Sequence, residues 1–161
     1  MKDLFDNTLE QARQQWGETI KGDGGRCPCC DRFGKIYARA INRTMAKCLL
    51  WLIQESQDGK WVDVPNRAPR WLVRSNQLPT LRWWELVERM EPCEDERLKH
   101  SGMWRPTDLG REFARDEVTI PKKVFTYDGA PVGFGSYTTT ISGCIGSFHY
   151  KEVMREVMKT D

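Results

Sequence analysis

The sequence predicts an α+β fold: a helix-turn-helix run, a β-hairpin feeding a further helix, a helix at each end, and a small cysteine knuckle near the start. Two observations predict it. Residues 101–129, SGMWRPTDLGREFARDEVTIPKKVFTYDG, read as strand, capped helix, strand. Upstream, Ile41, Met45, Cys48, Leu49 and Leu52 recur at three- and four-residue spacing, which marks a buried helical stripe.

In chain order, Asp6 or Asn7 can cap a first helix, with Glu10 at capping-box spacing from Asn7 and with Leu9, Ala12 and Trp16 on one side. Gly17 weakens that helix, and Lys21-Gly22-Asp23-Gly24-Gly25 reads as a hinge. A cysteine turn follows, then a long helix from about Ile36 to Ser56, closed by Asp58-Gly59. Trp61–Val64 is a short strand or an extended link. Pro65 and Pro69 bracket the start of a short helix through Trp71, Leu72 and Val73. After a turn at Asn76–Pro79, Thr80 is expected to cap a second helix through Glu88, carrying Trp83, Trp84, Leu86 and Val87. A hairpin should then pair 86–90 with 102–105 across the acidic connection 91–97.

Pro106 lacks a ladder donor and ends the second hairpin strand. Thr107 or Asp108 supplies an N-cap oxygen, and Leu109 and Phe113 form the buried side of the next helix. Residues 118–127 read as a strand, 129–143 as a Gly/Ser/Thr-rich surface loop, and Tyr150 to Lys159 as a final helix with Val153, Met154 and Val157 inward. The expected divisions are 1–25 (helix and hinge), 26–127 (knuckle and core) and 128–161 (loop and C-terminal helix).

Composition sets bounds on function. The 161 residues carry 39% apolar residues and seven Trp, enough for one core because each Trp buries a large area. The net charge of +2 does not announce a nucleic-acid binder, but its distribution is uneven. Residues 25–60 hold seven Lys/Arg against three acids, and residues 93–117 hold five against seven. A positive footprint therefore belongs to the first segment. The N-terminus has acids and amides where a signal peptide needs an apolar run, and the longest apolar block, Cys48 to Ile53, is too short to span a bilayer. The expectation is a cytoplasmic protein without membrane attachment, whose six cysteines do not form a disulfide framework. No phosphate-cradling glycine loop, no H-E-x-x-H and only two histidines point away from an enzyme.

Cys27-Pro28-Cys29-Cys30-Asp31 fits a C-P-x-C knuckle with Cys27 and Cys30 as thiolate ligands of a structural zinc. The remaining ligands would come from Cys29, Cys48, Cys93, Cys144, His100 or His149. The alternative is a reduced turn with no metal, with Cys48 as plain core.

Lys35, Arg39, Arg43 and Lys47 are spaced by four. On one helix they would form a basic stripe opposite the buried one, a candidate phosphate contact extended by Arg26 and Arg32. Arg70, Arg74 and Arg82 would then lie nearest the bases, while the acidic tip Glu94-Asp95-Glu96 would repel DNA and leaves room for a protein partner.

The order helix, short helix, turn, helix, hairpin resembles winged helix-turn-helix regulators, which implies binding to double-stranded DNA, often as a homodimer. Cys27, Pro28 and Cys30, with Ser101, Gly102, Trp104, Arg105, Thr107, Gly110, Arg111, Phe113, Glu117, Val118, Thr119, Pro121 and Lys122, are also similar to a group of small uncharacterised proteins of tailed bacteriophages and prophages. That resemblance covers about 26–127, fixes no activity, and implies a phage-encoded protein in a bacterial host. The competing expectation is a phage interaction protein that binds and inhibits or redirects a host protein of the transcription or defence machinery; the excess of tryptophan, common in interface hot spots, supports it.

Overall fold

The structure, a computed structural model, describes residues 8–91, 102–146 and 150–159. The expected acidic tip, with Cys93, His100 and His149, lies outside those residues. The protein is α+β, with several helices and small antiparallel sheets.

The elements begin with α1 (Leu9–Lys21), β1 (Gly25–Arg26), β2 (Phe33–Gly34), β3 (Tyr37–Ala40) and α2 (Arg43–Glu55). Next come β4 (Val62–Asp63), α3 (Val64–Arg67), α4 (Arg70–Ser75) and a 3-10 segment at Leu78–Trp84. Then follow β5 (Val87–Arg89), β6 (Met103–Pro106), α5 (Asp108–Ala114), β7 (Ile120–Pro121) and β8 (Lys123–Tyr127). The described chain closes with β9 (Ala130–Phe134), β10 (Thr138–Thr139), α6 (Ile141–Ile145) and α7 (Tyr150–Val157).

The chain packs as two compact units, one from residues 1–39 and 123–135, the other from 40–122 and 136–161.

In the first unit α1 begins at a reciprocal capping box. The Thr8 side chain accepts from the Gln11 N–H while the Gln11 side chain accepts from the Thr8 N–H, so the cap is Thr8 rather than Asp6 or Asn7. The helix continues through Gly17. Trp16 approaches the backbone at Gly34, where an added Cβ would lie 2.5 Å from its ring. A three-stranded sheet of order β3–β8–β9 completes the unit, with a β-bulge between Phe125 and Thr126. The segment expected as a surface loop thus contains β9, and in the second unit β10 and α6.

In the second unit α2 is the centre. Its N-cap is Asn42, whose side chain accepts from the Met45 N–H at 2.9 Å. Met45, Ala46, Cys48, Leu49, Leu50, Trp51 and Leu52 are all buried, which is more than one stripe, because other elements cover α2 on several sides. A second three-stranded sheet has the order β4–β6–β5, with Val87 opposite Pro106, Glu88 opposite Arg105 and Arg89 opposite Trp104. The expected hairpin is therefore present.

Trp104, Thr107, Gly110 and Phe113, spaced by three, each hold this end of the unit together in a different way. Trp104 is a buried strand residue, and the Thr107 side chain caps α5 by accepting from the Gly110 N–H at 3.0 Å. The Thr107 hydroxyl also donates to the Glu85 carbonyl at 2.6 Å. Gly110 lies so close to the Leu86 carbonyl that a Cβ would overlap it, and Phe113 is fully buried.

Two helices expected from the sequence are corrected. The helix placed at Ile36–Ser56 begins only at Arg43, because Tyr37–Ala40 is a strand. The helix placed at Thr80–Glu88 is a 3-10 segment ending at Trp84. Glu85 turns the chain at φ 58°, and Val87 already belongs to a strand. Trp84 is buried and its indole N–H donates to the Pro121 carbonyl at 2.7 Å, so it serves the core.

Candidate nucleic-acid and metal sites

The strand at β3 breaks the four-spaced basic stripe. Lys35 and Arg39 belong to the first unit, Arg43 and Lys47 to α2 in the second, so no single helix face carries all four.

Arg43 and Lys47 have structural partners. Arg43 donates to the Ile145 carbonyl at 2.5 Å and reaches both Glu156 oxygens at 3.3 Å. Lys47 sits 3.2 Å from Glu156 and 5.0 Å from the centroid of the Trp71 ring. Hydrogen bonds from Lys47, then from Arg43, hold the Glu156 carboxyl below its ordinary pKa. Their charge is answered within the second unit by α7, a contact with no local sequence signal.

Arg70, Arg74 and Arg82 are exposed. Arg70 and Arg74 stand one turn apart on α4, with exposed Val73 beside them and buried Leu72 behind. Neither has a carboxylate partner among the described residues. Asn76, at φ 52°, ends α4 and starts the turn into the 3-10 segment. On that segment Arg82 lies 5.6 Å from the Trp104 ring centroid.

Beside β5 is an open cleft of about 1030 Å³, lined in part by Trp61, Arg82, Glu85, Glu88, Glu91 and Asp108. Arg89 also lines it, and Arg105 pairs with Glu88 and lies 4.2 Å from the Trp61 ring centroid, so that Glu85, Glu91 and Asp108 stand against Arg82 and Arg89 in the cleft wall. Sequence reasoning missed it, because its acids come from separate elements.

In the first unit the cysteine turn is closed by two backbone hydrogen bonds. The Cys27 N–H donates to the Arg32 carbonyl at 2.8 Å, and the Asp31 N–H donates to the Cys27 carbonyl at 2.9 Å. Asp31 has φ 60°, the left-handed conformation a knuckle requires after its second cysteine. Backbone N–H groups of Cys29 and then Cys30 bond the Cys27 sulfur and lower its pKa, the arrangement that suits a thiolate or a metal-bound sulfur. Among the described residues no group of three or more Cys, His, Asp or Glu is placed to hold a metal, so Cys27 and Cys30 form half a site at most there. Cys48 is buried core, and burial pushes its thiol up to about 11. Cys144 is likewise raised by burial. The five described cysteines are free thiols.

Among the described residues no helix is long and apolar enough to cross a membrane. Comparison with protein families, curated proteins and solved structures returns no match.

Proposed function

We propose that this chain is a non-enzymatic DNA-binding regulator whose second unit is a winged helix-turn-helix. The order α2, β4, α3–α4, 3-10 segment, β5, β6 and the sheet order β4–β6–β5 support that reading, with the β5–β6 hairpin as the wing. The observation that carries it is the α4 surface. Arg70 and Arg74 are exposed, one turn apart and without a carboxylate partner among the described residues, and Arg82 follows across the turn. Cations left open in this way are free to neutralise phosphates and release counterions. Arg43 and Lys47, occupied by Glu156, leave the proposed contact set. A short 3-10 segment in place of a long reading helix favours phosphate contact over extensive base readout. The resemblance of residues 26–127 to small phage proteins makes a regulator of phage or prophage genes the natural setting. Zinc held by Cys27 and Cys30 belongs to the same proposal as a structural element of the first unit, supported by the hydrogen-bonded cysteine turn.

One observation favours a second reading. The acids Glu85, Glu91 and Asp108 around the cleft, more numerous than the lining Arg82 and Arg89, oppose a phosphate backbone and suit a basic protein partner, such as a host protein bound by a phage interaction protein. A pull-down from bacterial lysate with and without nuclease separates the two. Retention of a stoichiometric protein after nuclease, with no duplex binding at low salt, would overturn the DNA reading.

A further inference from the structure

Phe33–Gly34 is β2 and Tyr37–Ala40 is β3, and alternate positions of this stretch hold Phe33, Lys35, Tyr37 and Arg39. The side chains form one row. Lys35 Nζ lies 5.7 Å from the Tyr37 ring centroid, and the Arg39 guanidinium lies 5.5 Å from it. A Cβ built on Gly24 would stand 2.9 Å from both Phe33 Cζ and Lys35 Cβ, so these two are neighbours as well. Gly24, at φ 81°, leaves the space they occupy.

The row is open. Phe33 is 56% exposed and Tyr37 is 45% exposed, and β3 is an edge strand of its sheet. Single exposed aromatic residues are ordinary; two in one row, alternating with cations, are not. Arg26 and Arg32 are paired with Asp31 and Asp128, whereas Lys35 and Arg39 have no carboxylate partner among the described residues. The described part of this unit carries seven Lys/Arg against five Asp/Glu.

We propose that the Phe33–Lys35–Tyr37–Arg39 row binds single-stranded DNA, with the rings and the Arg39 plane stacking unpaired bases and the two cations contacting phosphates. Duplex DNA keeps its base faces stacked internally, so it cannot use the rings. A single strand offers both faces and phosphates. An acidic peptide would satisfy Lys35 and Arg39 but leave the rings without a stacking partner. Bases and phosphates are common to DNA and RNA single strands, and the choice of DNA rests on the proposed function. The inference shares with the proposed function only that the ligand is DNA, and it uses other residues.

The test is fluorescence anisotropy of the full chain with a labelled oligo-dT of about 12 nucleotides, within the span a small single-strand-binding domain covers. A duplex and an oligo-U of the same length are run beside it. Tyr37→Leu and Phe33→Ala should each weaken oligo-dT binding about fivefold or more, while Tyr37→Phe keeps it. Lys35→Ala with Arg39→Ala should flatten the salt slope by about 1.4, at roughly 0.7 per phosphate. Arg70→Ala with Arg74→Ala should leave oligo-dT binding intact; loss of duplex binding in that variant bears on the proposed function alone. Circular dichroism identifies any unfolded variant, and Phe33→Ala and Tyr37→Leu test the row independently. No oligo-dT binding at low salt, binding indifferent to both ring substitutions, or equal or tighter binding of oligo-U would each overturn the proposal.

Discussion

Glu156 on α7 stands 3.2 Å from Lys47 on α2. The contact explains why a regular basic repeat in the sequence is not a free basic surface. Because Lys47 and then Arg43 lower the Glu156 pKa, the pair stabilises the fold above the unfolded glutamate value, about 4.3, and loses that contribution as pH falls through the lower folded value. Glu156→Gln should therefore lower the urea midpoint at pH 7, and the deficit should shrink between pH 7 and pH 3. An equal deficit at both pH values would contradict the ion-pair account.

Much of the second unit was legible in the sequence, and particular residues say why. Trp104, Thr107, Gly110 and Phe113 each carry a local signal of strand, cap, close approach or core, and those signals agree with one another. The start of α2 was not legible in the same way. Lys35, Arg39, Arg43 and Lys47 repeat every four residues, as a helix does, while Phe33, Lys35, Tyr37 and Arg39 repeat every two, as a strand does. The choice depends on β3 joining a sheet with β8, a pairing between segments more than eighty residues apart that no local pattern announces. Asn42, the true cap, was the available signal. The short second helix failed similarly. Leu86 and Val87 suit either period, and Glu85 gives no hint of its left-handed turn. At the candidate sites, Arg70, Arg74, Arg82 and the cysteine turn could be named in advance. The cleft acids and the partners of Arg43 and Lys47 could not, since long-range packing assembles them.

Two glycines should respond in opposite ways to alanine. At Gly110 a Cβ would collide with the Leu86 backbone carbonyl, which cannot move without shifting the β5–β6 sheet. Gly110→Ala should cost about 1–3 kcal/mol or more, as overpacking does. At Gly17, inside α1, nothing lies within 4 Å, and Gly17→Ala should stabilise α1 by about 0.5–1 kcal/mol. Thermal melts of both variants check the pair of signs. A neutral Gly110→Ala would contradict the close packing of α5.

The thiols should separate by reactivity. In metal-free, chelator-treated protein Cys27, lowered by the Cys29 and Cys30 amides, should be alkylated by iodoacetamide at neutral pH well before Cys48, which is buried with a thiol pKa of about 11. Peptide mapping after graded exposure reads the order. Labelling of Cys48 in step with Cys27 would contradict it.

Metal content tests the knuckle. Protein purified without chelator should hold zinc, and Cys27→Ser and Cys30→Ser should each lose it while Cys48→Ala keeps it. Less than about a tenth of an equivalent in the parent protein would count against a structural site, since a closed site survives purification.

Contact between the exposed arginines of α4 and duplex DNA predicts a salt-dependent affinity in which log K falls linearly with log salt. It also predicts that Arg70→Ala with Arg74→Ala flattens the slope by about 1.8, at roughly 0.9 per phosphate contact, while the fold stays intact by circular dichroism. An unchanged slope in that folded variant, or no duplex binding by the parent at low salt, would contradict it.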